Sequence, residues 1–185
     1  MLTPRMQTGA ALLAFVAALM LLIGSASAAA MHFLLTGRQL ASLQLDREIA
    51  FRAAEAALID AETELIAATA SGSERFALTA SPGECADGIH RGICMAGGEH
   101  SPWQAWLDGD TSSEIGIALG TFTGAQLPEL PKDVIGANRL PRYLIEILDN
   151  PSDATQAMWP RMRIVALGFG RDPAVRVLLQ TEFQP

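Results

Sequence analysis

The spacing of apolar positions divides the chain into three parts. From Gly9 to Ile23 the side chains are apolar without interruption, and a softer uncharged run continues to Met31. Arg5 is the only charged residue before Arg38. As a helix, Gly9 to Met31 spans roughly 35 Å at about 1.5 Å per residue, enough to cross a hydrocarbon core of about 30 Å. From Gln39 the pattern becomes amphipathic. Ala50, Ala54, Ala57, Ala61, Leu65 and Ala68 recur at spacings of three and four, which places them on one helical face. Asp46, Arg47, Glu48, Arg52, Glu55, Asp60, Glu62 and Glu64 fall off that stripe and read as a solvated surface with i,i+3 and i,i+4 pairs. Ser71-Gly72-Ser73 supplies the stop. Gly24-Ser25 and Thr36-Gly37 are the points where this helix is expected to bend or melt. The Ala-rich face lets a backbone or a sheet approach closely.

Beyond Pro128, the period shortens. Three segments read as strands: Arg142 to Leu148, Arg161 to Gly168 and Ala174 to Phe183. The last two alternate in part, as in an antiparallel sheet with one wet face. Gly168 to Pro173 reads as the hairpin connection between them. Asp149 to Pro160 reads as a longer loop. Ser101-Pro102 has the order of an N-cap followed by proline at the first helical position, so a short helix through Leu107 is expected, with Trp103 and Trp106 on one side. The fold expected is α+β: one long N-terminal transmembrane and amphipathic helix, packed by its C-terminal half on a small antiparallel β-sheet.

Charge and composition narrow the function. Half of the 185 residues are hydrophobic, which excludes long disorder. Thirteen Lys+Arg against twenty Asp+Glu give a net charge of −7, the wrong field for a nucleic-acid binder. No G-x-S-x-G elbow, H-E-x-x-H pair or P-loop occurs in the sequence, so no catalytic residue and no cofactor are predicted. Cys85 and Cys94 bracket a glycine-containing loop. A disulfide there fits an extracytoplasmic domain. The alternatives are free thiols and a zinc site using Cys85, His90, Cys94 and His100, whose spacing matches no standard set. Asp108, Asp110 and Glu114 admit either Ca²⁺ or an ordinary polar turn.

The N-terminus admits three processing routes. Ala26-Ser27-Ala28 offers the small-x-small pattern of a cleaved signal peptide. A plain anchor would keep the whole segment. The third route follows from a resemblance. The Arg-x-x-x-Gly end at Gly9, the Ala10-Ala11-Leu12-Leu13 start and the run Ala50-Phe51-Arg52-Ala53-Ala54-Glu55-Ala56-Ala57-Leu58 resemble PilX-type minor pilins of bacterial type IV pili. The cysteine pair followed by tryptophans, and a closing Val-Leu-Leu-Gln-Thr-Glu-Phe, extend the likeness along most of the chain.

The resemblance implies a leader at 1–9, cleavage between Gly9 and Ala10 by prepilin peptidase, and N-methylation of Ala10. It implies a membrane and filament-core helix at 10–31, an amphipathic extension at 32–70 and a periplasmic α+β domain at 71–185. It implies a non-enzymatic subunit that starts in the inner membrane, primes pilus assembly and sits at the tip of the surface fimbrium. The implied partners are other minor pilins, the major pilin, the inner-membrane assembly platform and a pilus-tip adhesin. Major pilins carry Glu at mature position five. Here that position is Ala14, which suits a rare subunit better than a bulk one. The competing readings are a secreted or membrane-anchored periplasmic binding module with an ordinary signal peptide, and a K-type minor pseudopilin of type II secretion.

Overall fold

A computed structural model describes residues 7–72, 74–77, 81–97, 101–107, 116–129, 135–148 and 160–184. The chain forms two compact units, residues 1–44 and 45–185. In the first, the described residues are all helical. They belong to α1, Gln7–Ser71, which has no break. Neither Gly24-Ser25 nor Thr36-Gly37 melts. In both stretches the Ser25, Ser27 and Thr36 hydroxyls donate back to the Leu22, Ile23 and His32 carbonyls at 2.8–2.9 Å, so these hydroxyls are satisfied within the helix. At the other end Gly72 takes a positive φ of 64°, and its N–H meets the Ala68 carbonyl at 3.0 Å, closing the helix with a left-handed cap.

The second unit packs the last part of α1 on a sheet. Its strands are β1 (Ile93–Met95), β2 (Ile117–Ala118), β3 (Arg142–Ile147), β4 (Met162–Phe169) and β5 (Arg176–Phe183). One helical turn, α2 (Gln104–Leu107), lies between β1 and β2. The order is β1-β3-β4-β5, and β2 shares the β1 side of β3. β3, β4 and β5 are antiparallel, paired Leu144↔Val165 and Leu167↔Leu178 at their centres. β1, however, runs parallel to β3, with Ile93 opposite Ile145. The sheet is therefore mixed rather than purely antiparallel. A three-residue strand at the end of the cysteine loop carries too short a pattern to be read as one.

Two apolar layers enclose β3 and β4. On the helix side, Ala57, Ala61 and Leu65 meet Tyr143, Ile145, Met162, Ile164 and Ala166. Alanine keeps α1 close to the sheet, and glycine completes the fit. A Cβ on Gly168 would stand 2.0 Å from the Ala50 carbonyl oxygen and 2.4 Å from the Ala54 nitrogen. On the other side, Trp106, Cys94, Leu144, Val165, Leu167 and Phe169 form a second layer, with Cys85, Trp103 and Leu178 packed against it. The wet face expected for β4 is thus covered, and only Arg163 in that strand is less than buried. The tryptophans act as a lid over the sheet.

Candidate functional site

The chemistry of this chain is concentrated on α1, and its two halves differ. In the first unit the apolar side chains face outward. Leu12, Leu13, Phe15, Met20, Leu21 and Leu22 are each about 70% exposed. Burying one such side chain is worth about 1.5–3 kcal/mol, so the segment strongly favours an apolar surrounding. It is long and apolar enough to cross a membrane. Gly9 and Ala10 lie within α1, and residues 1–6 fall outside the described ones.

In the second unit the stripe pattern assigned six carboxylates of α1 to solvent, and three of them are buried instead. Glu48 and Arg52 are indeed exposed and Glu55 is half-buried, with Arg52 paired to the two carboxylates at 2.9 and 3.0 Å. Asp46, Asp60 and Glu64 are buried. Each holds a different loop. Asp46 accepts from the Arg171 N–H at 2.6 Å, the Arg171 Nε at 3.2 Å and the Asp172 N–H at 3.3 Å, fixing the β4–β5 turn. Burial acts to raise the Asp46 carboxyl, but the hydrogen bonds from Arg171 and Asp172 outweigh it and hold the group below its ordinary value. Asp60 accepts from the Gly120 N–H at 2.7 Å and from the Thr123 hydroxyl, fixing the loop after β2.

Glu64 is the centre of the largest network. The Tyr143 hydroxyl donates to it at 2.6 Å, and Arg75 Nε donates to its other oxygen. Burial, and then the Glu64 carboxylate, push the Tyr143 phenol far above its ordinary value. Arg75 reaches further. Its two terminal nitrogens donate to the carbonyls of Ile89 and, at 3.0 Å, Arg91. Its guanidinium stacks on Phe122, 3.4 Å from the ring centroid. His90 Nδ1 lies 2.7 Å from the Arg75 carbonyl. A carbonyl only accepts, so Nδ1 carries the proton.

Those contacts aim at the cysteine loop. Cys85 and Cys94 are joined, with S–S 2.05 Å. Around the bridge, residues 83–86 pair with β1: Ala86 N–H to Ile93 O at 2.8 Å and Met95 N–H to Glu84 O at 3.0 Å. The loop tip, Gly88–His90, is the part that Arg75 grips. The disulfide and Arg75 therefore close one loop from both ends. With both sulfurs bonded and His90 engaged, the four-ligand zinc alternative loses its members; His100 lies outside the described residues, as do Asp108 to Glu114 and residues 149–159. His32 sits far along α1, 3.5 Å from the Thr36 hydroxyl.

Beside this network a groove of about 460 Å³ is lined by Thr63, Glu64, Ala67, Ser71, Arg75 and Phe122, among others. Thr63 and Ser71 hydroxyls donate to Ile59 and Ala67 carbonyls at 2.8 Å, so neither is poised as a nucleophile. On the opposite sheet face, fully buried Glu146 accepts from Arg163 at 3.1 Å. The arrangement is that of a long helix latched to a small domain by buried carboxylates. The signal that would have marked Asp46, Asp60 and Glu64 is weak: they lie toward the alanine stripe on the helical circle, but their partners are 11 to 126 residues away.

Residues 90–185, just over half of the chain, match the family model described as Type IV pilus assembly protein PilX C-term. No curated protein and no solved structure matches the chain.

Proposed function

The chain belongs to the PilX family of type IV pilus assembly proteins, and from that premise we propose that it is a non-enzymatic minor pilin that primes pilus assembly and sits at the filament tip. The observation that carries this reading is the exposed apolar half of α1, continuous in one helix with the half latched to the sheet. A helix of that kind has two suitable surroundings, lipid and a bundle of similar helices. Transfer between them costs little, because both are apolar. The subunit waits in the inner membrane with its 71–185 domain on the periplasmic side, and then enters the filament. Its partners are the other minor pilins, the major pilin, the assembly platform and a tip adhesin.

Processing follows the same logic. Prepilin peptidase cuts between Gly9 and Ala10, methylates Ala10 and leaves the 10–31 helix attached to its 32–70 extension. Cleavage after Ala28 would instead discard the apolar half of a helix that runs through that point without a break. Ala14, at the fifth mature position, leaves no carboxylate to seek a neighbour's amine. That suits an end subunit used once per filament.

Three measurements test the reading. Sequencing the mature chain should find Ala10 at its start, and the protein should resist alkaline carbonate extraction. A clean deletion should abolish most surface piliation, and complementation should restore it. A mature chain starting at Ala29, or normal piliation in the deletion strain, would overturn it.

A further inference from the structure

The groove beside the Glu64 network is open, and the charges around it do not balance. Its volume is about 460 Å³. One wall is the end of α1, where Thr63, Ala67 and Ser71 recur every four residues and are all exposed. That wall is about 12 Å long, the span of three or four extended residues. Phe76, Phe122 and Thr123 belong to the rest of the lining. Phe122 is 41% exposed even though Arg75 stacks on it.

The polar groups of the lining are disposed to accept. The Thr63 and Ser71 hydroxyls donate to the Ile59 and Ala67 carbonyls, and the Thr123 hydroxyl donates to Asp60. Each oxygen keeps a lone pair for a further donor. Arg75 is the one cation among the described lining residues, and it is committed to Glu64 and to the Ile89 and Arg91 carbonyls. Two buried carboxylates, Asp60 and Glu64, share that single guanidinium. Among the described residues Asp60 accepts only from neutral donors, the Gly120 N–H and the Thr123 hydroxyl. Burial is the first cause of the raised Tyr143 phenol; after it Glu64 and Asp60 both push the same way, and Arg75 alone opposes them. Buried charges are ordinarily paired, so this excess of one carboxylate calls for a cation. Glu62 and Glu74 adjoin Thr63 and Arg75 in sequence and add to the negative field. The last turn of α1 carries no basic residue, so the negative end of its dipole is not offset there either.

We propose that this groove is a docking site for an arginine side chain presented by an extended segment of another protein. The guanidinium supplies positive charge and several donors at once, its methylene stem lies along Ala67, and its plane suits the open part of Phe122. An anion is the wrong guest for a lining of acceptors in a negative field. A small free cation would leave most of the helical wall bare. The proposal uses only the shape and charge of the groove and stands apart from the pilus reading.

The test uses the full chain in mild detergent, with threonine methyl groups labelled for NMR. The probe is the peptide acetyl-Ala-Ala-Arg-Ala-Ala-amide. It should shift the Thr63 and Thr123 signals, leave those of Thr36 and Thr181 in place, and half-saturate at about 1 mM or below. The citrulline analogue keeps the shape and loses the charge, and it should bind about tenfold more weakly. Ser71→Lys puts a cation into the groove from its own wall, at an exposed position where the helix dipole favours it. That variant should weaken binding of the arginine peptide about tenfold. Gln180→Lys adds the same charge on the sheet face away from α1 and should leave binding unchanged. Equal binding of the two peptides, or equal weakening by the two lysine variants, would overturn the proposal. So would the absence of any shift at Thr63 and Thr123 up to about 5 mM peptide. Arginine amide binding as tightly as the peptide would also overturn it, and would assign the groove to a small cation.

Discussion

Arg75→Met removes the cation at the centre of the Glu64 network without removing much side-chain volume. In the native domain Arg75 and Glu64 have side chains only 9% and 6% exposed. The variant leaves the Glu64 carboxylate with the Tyr143 hydroxyl as its one remaining donor among the contacts described. It also takes the charged donor from the Ile89 and Arg91 carbonyls. Breaking a buried pair from one side costs about 3–5 kcal/mol, most of it the penalty of a buried charge without its counterion. With a urea slope of about 1–3 kcal/mol per molar, the midpoint should fall by roughly 2 M. Tryptophan fluorescence of the full chain in detergent follows the transition, because Trp106 is buried in the layer beyond the sheet. The double variant Glu64→Gln with Arg75→Met separates charge from packing. Gln keeps an acceptor for Tyr143 and carries no charge, so the double variant should be more stable than Arg75→Met alone by about 1–2 kcal/mol. A single-variant loss under about 1 kcal/mol, or a double variant no better than the single, would refute the argument that Arg75 neutralises a buried carboxylate.

Three further expectations follow from the same contacts. Tyr143 is the only tyrosine, so absorbance of its phenolate reports one site. The raised value means stability is present below the ordinary tyrosine range near pH 10 and is lost above it; phenolate should appear only with alkaline unfolding, and ionisation in a domain with unchanged circular dichroism would contradict this. The Asp46 carboxyl is lowered from 3.8, so its contribution is present above that pH and lost as pH falls through the folded value. The melting difference between wild type and Asp46→Asn should therefore shrink under acid, and a constant difference down to unfolding would be the wrong result. Cys85 and Cys94 in protein taken from membranes should resist alkylation until reduced, and Cys85→Ala should cost about 2.7 kcal/mol by the loop-entropy relation. Two freely alkylated thiols before reduction would show that the bridge does not form in the cell.

Much of the architecture could be read from residue spacing. The alanine stripe marked the packed face of α1, because a three-and-four period is a local property of the helix. The three long strands were placed within about two residues, because each carries enough apolar positions to show a pattern. What escaped was set by distant partners. β1 and β2 have three and two residues and exist because β3 offers them an edge. Asp46, Asp60 and Glu64 look like any surface acid until Arg171, Gly120 and Arg75 are brought to them. The second apolar layer depends on α2 and the disulfide loop folding over β4, which hid the strand's partial alternation. The N-terminal apolar run, in contrast, needed no partner to be recognised.

The three buried carboxylates have a mechanical meaning. From Asp46 to Glu64 is eighteen residues, about 27 Å along the helix axis. The latches are spread over that distance, and each ties α1 to a separate part of the domain: the β4–β5 turn, the loop after β2, and Tyr143 with the cysteine loop. A pull along the axis of α1 loads all three in parallel, as shear, instead of opening them one after another like a zipper. The close seat of Gly168 against Ala50 and Ala54 adds a detent, since sliding by one residue would drive a methyl-bearing neighbour into the space that glycine leaves. A subunit fastened in this way withstands traction on its helix far better than its small core alone would suggest.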